Sequence, residues 1–114
     1  MSISSDILRG HTDTIIMSHL YNKDSYGYEI NKAIKEASEG QYELKDATLY
    51  GALRRLEKKG YINSYWGDET TGARRKYYKI TEEGKTFFRK SYQEWENTKK
   101  LIDILIKSGG MGNE

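Results

Sequence analysis

Apolar residues recur at helical spacing in four segments of the chain, and this periodicity predicts four helices. The second segment shows the pattern most plainly, because its apolar positions follow i, i+3, i+4, i+7 and Gly40 comes next as a natural stop. In the third segment, leucines and an alanine line one face, and Gly60 ends the pattern. Thr81 is expected to cap the last helix. The predicted helices span residues 4–21, 27–38, 46–59 and 81–107.

The periodicity changes between the third and the last predicted helix. Residues 61–67 and 73–80 are rich in aromatic side chains, and the residues between them are polar. Two such runs predict a β-hairpin. Three helices followed by a hairpin are the element order of a winged helix, so we expect a mainly α fold with a β-hairpin (α+β), a winged helix-turn-helix with one long C-terminal helix. The expected division is 1–80 for the winged-helix domain, 81–107 for the last helix and 108–114 for a flexible tail.

The last predicted helix is long for a chain of 114 residues. At about 1.5 Å per residue it extends ~39 Å, so its end should project from a domain of this size. Its apolar stripe nevertheless continues to that end, and such a stripe requires a partner surface. The stripe consists of Phe88, Tyr92, Trp95, Ile102, Leu105 and Ile106.

Length and composition limit the chain to one modest core, since only 36% of its residues are hydrophobic. The absence of cysteine excludes disulfides, thiolate metal sites and thiol nucleophiles. The longest apolar runs fall far short of the ~20 residues of a membrane span, and the N-terminus lacks the features of a signal peptide. We therefore expect a cytoplasmic protein with no membrane partner.

The net charge of +2 conceals an uneven distribution. Residues 53–80 contain eight basic and three acidic side chains and carry +5, whereas the rest of the chain carries −3. Arg74, Arg75 and Lys76 form a basic group in the hairpin that is suited to phosphate or minor-groove contact. The alternative is that these cations pair across the strands with acidic neighbours.

With its leucine face toward the core, the third helix turns small and basic residues outward. The small residues near its start permit a close approach to DNA, and the cations further along can contact guanine or phosphate. The alternative is a solvated basic face with no partner. The outward residues are Ala47, Gly51, Arg54 and Lys58, with Thr48 and Tyr50 beside them.

Three motifs, in this order, resemble the PadR family of transcriptional regulators. They are YGYEI at residues 26–30, ATLY followed by LRRLEKKGYI at 47–62, and GARRKYYKITEEG at 72–84. The short C-terminal part resembles the compact, multidrug-sensing subgroup of that family. The resemblance, which covers about residues 5–107, implies a homodimeric winged-helix repressor. Such repressors bind an inverted repeat in double-stranded operator DNA and often respond to planar aromatic, phenolic or drug-like compounds.

The resemblance also implies roles for individual residues on the recognition helix, at the DNA backbone, in the wing and at the dimer interface. Gly51 departs from the bulkier residues common at its position, which removes one contact surface. The expected DNA-binding residues are Tyr26, Tyr28, Thr48, Tyr50, Arg54, Lys58, Arg74, Arg75 and Lys76. The expected dimer residues, from the first and last helices, are Ile7, Leu8, Phe88, Trp95, Ile102, Leu105 and Ile106.

Trp95 lies midway along the last helix, one turn after Tyr92. In a two-fold dimer, two copies of this residue can face each other across a central space, and large aromatic faces bind planar, often cationic molecules. Met17 would line the same space, and Asp103 would add charge selectivity. The alternative is that Trp95 only anchors the dimer interface. Trp66, in the hairpin, is expected to be structural.

The sequence does not favour an enzyme. His11 and His19 are eight positions apart, which separates them by more than ~10 Å along a helix, so the two cannot hold one metal ion. We expect His19 to be partly buried and His11 to lie at the dimer seam. Phosphate-loop, zinc-protease and serine-hydrolase motifs are missing, so no catalytic residue, metal or cofactor is expected. The alternative function is a winged-helix protein–protein interaction module, whose binding would depend much less on salt.

Overall fold

The order of the elements is that of a winged helix followed by a long C-terminal helix, which confirms the expected fold class. The computed structural model describes residues 5–68 and 74–110. Residues 111–114 of the predicted tail lie outside this part. The helices are α1 (Ser5–Arg9), α2 (Thr12–Ser18), α3 (Gly27–Ala37), α4 (Asp46–Lys58) and α5 (Glu82–Ser108). The strands are β1 (Ser25–Tyr26), β2 (Ile62–Trp66) and β3 (Lys76–Ile80).

The chain between residues 5 and 18 forms two helices, so the prediction of one helix over residues 4–21 is wrong. α1 ends just before Gly10, and the backbone N–H of His11 donates to the carbonyl of Leu8 at 2.9 Å. α2 begins at Thr12, the residue after His11. Glycine is a poor helix former because it loses so much backbone freedom, and this explains the break.

β1 is a two-residue strand in a segment whose sequence indicates a polar turn. Ser25 pairs with Tyr78 and Tyr26 pairs with Tyr77, so β3 is the central strand in the order β1-β3-β2. Two residues are too few for any alternation to reveal a strand. Because Tyr26 is also the N-cap of α3, the start of that helix is fixed directly to the hairpin.

The core lies between the helices and the inner face of the sheet. Leu53 and Leu56 of α4 are completely buried together with Ile62 of β2, as the predicted leucine face requires. Burial of a large aliphatic side chain stabilises the fold by about 1.5–3 kcal/mol. The other core residues are Ile16, Met17, Leu20, Ile30, Ile34, Leu44, Leu49, Ala52, Tyr78 and Ile80.

The first turn of α5 is anchored on the base of the hairpin. Thr81 caps the helix as predicted, because its Oγ1 accepts a hydrogen bond from the Gly84 N–H at 2.9 Å. The same hydroxyl donates to the carbonyl of Gly60 at 2.7 Å. A Cβ added to Gly84 would lie 2.8 Å from Ile80 Cγ1 and would collide with the carbonyl oxygen of Tyr61. The helix therefore starts in close backbone contact with the residues that precede β2.

Beyond this anchor, α5 packs on α2 and then projects outward. Its 27 residues correspond to ~40 Å, and the protein measures 63 × 32 × 21 Å along its principal axes. Among the described residues, none of the helices has the length and apolarity needed to cross a membrane. The apolar side chains near the end of α5 are 48% to 62% exposed, and they are Leu101, Ile102, Ile104, Leu105 and Ile106.

Candidate nucleic-acid interface

The outer face of α4 is polar, and in its middle Gly51 leaves a gap where a side chain is missing. Thr48, Arg54 and Lys58 are exposed on this helix, whose opposite face is buried in the core. Among the described residues, the atom nearest to a Cβ built on Gly51 is Arg54 Nη2, at 3.9 Å. A side chain would therefore fit at Gly51, so packing within the chain does not require the glycine. The gap allows the helix to approach a flat surface such as the edges of base pairs.

Tyr50 extends from α4 toward the N-terminus of α3. A Cβ built on Gly27 would lie 2.6 Å from Cζ of the Tyr50 ring, so the ring can rest there only because residue 27 is glycine. The first turn of a helix has backbone N–H groups without helical partners and a partial positive charge. Tyr50 therefore borders a position that favours an anion.

An open cavity of about 370 Å³ lies at this position and gathers tyrosine and basic side chains from three parts of the chain. The guanidinium of Arg75 lies 4.8 Å from the centroid of the Tyr26 ring, a cation–π contact. Phenol hydroxyls and cations around a concave surface suit a phosphate group. The expected DNA-binding residues that line the cavity are Tyr26, Tyr28, Tyr50, Arg74, Arg75 and Lys76. Thr48, Arg54 and Lys58 lie apart from it, along α4.

Trp66 is 57% exposed, so the prediction that it is a structural residue of the core is wrong. It pairs with Lys76 at the end of the sheet, beyond the last core residue of either strand. The guanidinium of Arg74 lies 5.8 Å from its ring centroid, and Arg74 Nε donates to the Gly67 carbonyl at 3.2 Å. Trp66 thus belongs to the basic surface of the hairpin. The predicted connection between the strands falls partly outside the described residues, at 69–73.

Arg55, which flanks the outer face of α4, contacts a neighbouring helix although its side chain is half exposed. Its guanidinium forms an ion pair with the carboxylate of Asp13 on α2. Glu57, two residues later, accepts a hydrogen bond from Ser64 Oγ on β2 at 2.5 Å. These contacts connect α4 to α2 on one side and to β2 on the other.

Among the described residues of the winged helix, three titratable groups have shifted pKa values. Tyr65 donates a hydrogen bond to Asp24 at 2.5 Å, and this bond raises the pKa of Tyr65 to about 12. Burial raises the pKa of Tyr78, and the charge of Glu57 adds to that effect. Burial lowers the pKa of His19, which agrees with its expected partly buried position. The hydroxyl of Tyr65 therefore keeps its proton, as its hydrogen bond to Asp24 requires.

A second site is an apolar groove of about 610 Å³ between α1, α2 and α5. The rings of His11 and Trp95 meet edge to face here, with centroids 4.7 Å apart at 65°. Trp95 remains 37% exposed. The expected dimer or ligand residues that line the groove are Ile7, Leu8, Phe88, Tyr92, Trp95 and Ile102. Leu105 and Ile106 lie further along α5, where they are exposed.

Met17 and Asp103 do not line this groove. Met17 is completely buried in the core, so its expected place beside a ligand is wrong. It follows Ile16 on the inner side of α2, whereas Thr14, Ile15 and Ser18 face the groove. Asp103 follows Ile102 and is turned about 100° around the helix from it, so its side chain lies away from the groove. Its carboxylate pairs with Lys107 Nζ at 3.0 Å.

Sequence reasoning expected His11 at the dimer seam but missed Thr14, Ile15 and Ser18 of α2, although a signal was present. His11, Ile15 and Ser18 follow i, i+4, i+7 spacing and share one helix face. The prediction of a continuous first helix concealed this face, because it assigned the residues before and after Gly10 to a single stripe.

The exposed α4 of a winged helix, with cations and phenols gathered between α3 and the hairpin, defines a DNA-binding transcriptional regulator. Residues 16–90 match the family model of the PadR-like transcriptional regulators. The chain belongs to this family, which confirms the resemblance seen in its motifs.

Solved structures and a curated relative are similar over most of their length. A transcriptional regulator from Clostridium thermocellum is 53% identical, with a TM-score of 0.81 and coverage of 89% of this chain and 95% of that one. A PadR family transcription regulator from Clostridium difficile R20291 is 42% identical, with a TM-score of 0.73 and coverage of 84% and 98%. An uncharacterized protein from Lysinibacillus sphaericus is 43% identical over 105 residues, which are 92% of this chain and 96% of that protein.

Proposed function

We propose that this protein is a homodimeric, sequence-specific repressor that binds an inverted repeat in operator DNA. The observation that carries the proposal is the outer face of α4, which is exposed, polar and interrupted by Gly51. In this function α4 enters the major groove, Thr48 and Tyr50 hydrogen-bond to bases or phosphates, and Arg54 makes a bidentate contact to guanine or a contact to phosphate.

The cavity beside α3 takes a backbone phosphate. Its lining by tyrosines and cations, at the positive end of an eleven-residue helix, supports this role. Arg75 and Lys76 neutralise the phosphate, and Tyr26 and Tyr28 donate hydrogen bonds to it. Lys58 and Arg74 contact neighbouring phosphates from α4 and the hairpin.

A second copy of the chain completes the apolar surfaces of α5. The groove beside Trp95 and the exposed residues near the end of α5 together form an apolar surface that one chain leaves open. Two chains related by two-fold symmetry place their α4 helices about one turn of DNA apart, roughly 34–36 Å. Ile7, Leu8, Phe88, Ile102, Leu105 and Ile106 form this interface with Trp95.

A planar aromatic compound binds at the dimer seam and releases the operator, as the likeness to the compact, multidrug-sensing subgroup suggests. Trp95 supports this proposal, since its ring is held by His11 at one edge and is still partly exposed. Tyr92 lines the same groove and extends the aromatic surface.

Binding to the DNA upstream of the protein's own gene tests the function. The dimer should bind a labelled fragment of this DNA more tightly than random DNA. Its affinity should fall by about 10³–10⁵ between about 50 and 200 mM salt if six to ten phosphates are contacted. Equal binding to both fragments would contradict an operator function. A flat salt dependence would instead favour the alternative of a protein–protein interaction module. Repeating the titration with planar aromatic cations tests release.

A further inference from the structure

Three tyrosines form a row across the outer face of the sheet, one from each strand. Tyr77 in the central strand is the register partner of both Tyr26 and Tyr65. The rings of Tyr65 and Tyr77 are stacked, with centroids 5.6 Å apart and planes 13° apart. The rings of Tyr77 and Tyr26 meet edge to face at 5.3 Å and 72°. Each pair has a geometry in which aromatic rings attract one another.

Both ends of this tyrosine row are held by charged side chains. At one end, the hydroxyl of Tyr65 donates to Asp24, in the turn before β1. At the other end, the guanidinium of Arg75 lies over the Tyr26 ring at 4.8 Å. Contacts therefore run without interruption from Asp24, across all three strands, to a cation of the hairpin.

Burial in the core does not explain the row. The core lies on the opposite face of the sheet, where Tyr78 and Ile80 point inward. Tyr65 is 44% exposed, and its side chain makes a hydrogen bond to Asp24 and a ring contact with Tyr77. At the far end of the row, Tyr26 and Arg75 line the proposed phosphate cavity.

We propose that Asp24, Tyr65 and Tyr77 are positioning residues for DNA binding, which hold Tyr26 and Arg75 in place for a backbone phosphate without touching the DNA themselves. This inference rests on the proposed function. It extends the functional unit to the strand edge farthest from α3. A row that is already ordered spares the protein the entropy of fixing these side chains when DNA arrives.

The test removes the row at the end that is farthest from Arg75. In Tyr65→Leu the stack and the hydrogen bond are both lost, and we expect affinity for the operator fragment to fall about 3- to 10-fold. The slope of log affinity against log salt should decrease by about 0.9 for each phosphate contact released, or about 1.8 for a dimer. Asn63→Ala is the matched control, because Asn63 is exposed on the same strand and face, one row away.

A double-mutant cycle with Arg75→Ala separates positioning from general loss of stability. We expect Tyr65→Leu to have little further effect once Arg75 is removed, because both changes release the same phosphate. Additive effects, or an unchanged salt slope in Tyr65→Leu, would overturn the inference. If Tyr65→Leu does not fold, Tyr65→Phe and Asp24→Asn decide the question, since each weakens only the link to Asp24. Normal operator affinity in both would then overturn it. If the wild-type dimer does not prefer the operator fragment, it is the proposed function that fails.

Discussion

The proposed DNA-facing surface, which consists of α4 and the cavity between α3 and the hairpin, differs from the outer half of α5 in how completely a single chain builds it. On the DNA-facing surface, Tyr50 rests on Gly27, Arg75 on Tyr26 and Arg74 on Trp66, so its charged and aromatic groups already have fixed neighbours. At the end of α5, by contrast, five large aliphatic side chains are about half exposed or more. One surface is complete before any partner arrives, and the other is not.

The proposed function requires the right contact geometry and the right spacing between two contact surfaces, and this difference separates the two requirements. Contact geometry is set within each protomer, whereas the spacing of the two contact surfaces depends on assembly. Substitutions in α5 should therefore change DNA binding by changing the oligomeric state. Substitutions near α3 and the hairpin should change DNA binding while the oligomeric state stays the same. The following variants distinguish these effects, in order of decreasing expected size.

The largest effect is expected from a charge placed on the open end of α5. Leu105→Glu would bury a carboxylate without a partner in the dimer, a cost of about 3–5 kcal/mol, or more than about 100-fold in association. Sedimentation at micromolar concentration should show a monomer, and operator binding should be lost with it. Gln93→Glu adds the same charge at an exposed site on the same helix and should leave the dimer intact. A dimeric Leu105→Glu variant would show that α5 is not the assembly surface.

The second largest effect is expected when Trp95 is removed from the groove, and it concerns the affinity for a ligand. Trp95→Ala should weaken binding of a planar aromatic cation about 5- to 150-fold, because stacking on an aromatic side chain contributes about 1–3 kcal/mol. Titrations in a Trp66→Phe background isolate the fluorescence of Trp95, since the exposed Trp66 would otherwise add its own signal. Quenching that persists in Trp95→Ala would remove this residue from the site.

On the DNA-facing surface, Gly27→Ala should displace the ring of Tyr50 and lower operator affinity about 10-fold. The reason is the 2.6 Å approach between the added Cβ and Tyr50 Cζ. In a Tyr50→Leu background the same substitution should have little effect, because the colliding ring is gone. Filter binding at fixed salt measures both, and sedimentation should show an unchanged dimer.

Gly51→Ala should change stability and affinity in opposite directions. Alanine is a better helix former than glycine, so the free energy of unfolding should increase by up to about 1 kcal/mol. If the gap on α4 lies against base pairs, the added methyl group should weaken operator binding about 3-fold. Urea unfolding and a DNA titration on the same preparation test the pair of effects. An increase in both quantities would place Gly51 away from the DNA.

The smallest effect is expected for His19, which belongs to neither of the two compared surfaces, and it concerns the pH dependence of stability. Its pKa is lowered by burial, so the folded state prefers the neutral ring. The stability this contributes is complete above the unfolded pKa of about 6.5 and is lost as pH falls toward the lowered value. The urea midpoint should therefore decrease on acidification from pH 7 to pH 5, and His19→Gln should reduce that dependence. Identical pH profiles would exclude His19 as the cause.

Strong periodicity made much of the fold predictable. The buried leucines of α4 and the stop at Gly60 place that helix to within one residue, and Thr81 caps α5 as expected. The sequence did not reveal the two-residue β1, and without its register the alignment of Tyr26, Tyr77 and Tyr65 cannot be foreseen. These contacts are set by pairing between distant segments, which no local pattern encodes.

The candidate site was predictable to a different extent. The motifs identified the residues around the phosphate cavity, because they belong to elements whose positions in a winged helix are well defined. Trp66 and Met17 were misplaced for one shared reason. Residue type suggests that a tryptophan is buried and that a methionine near a groove can contact a ligand. Whether each side chain is buried depends instead on its position along the strand or helix. Trp66 lies past the edge of the core, and Met17 points into it.

The anchor of α5 at Thr81 and Gly84 has a mechanical consequence. Because the first turn of this helix is fixed to the backbone before β2, a tilt of the helix would carry the base of the hairpin with it. At ~1.5 Å per residue, Trp95 is ~21 Å from Thr81, so a tilt of about 5° with its pivot at Trp95 displaces the base of the hairpin by ~2 Å. In the proposed dimer, a small movement at the seam is thus large enough to break a hydrogen bond at the start of α5.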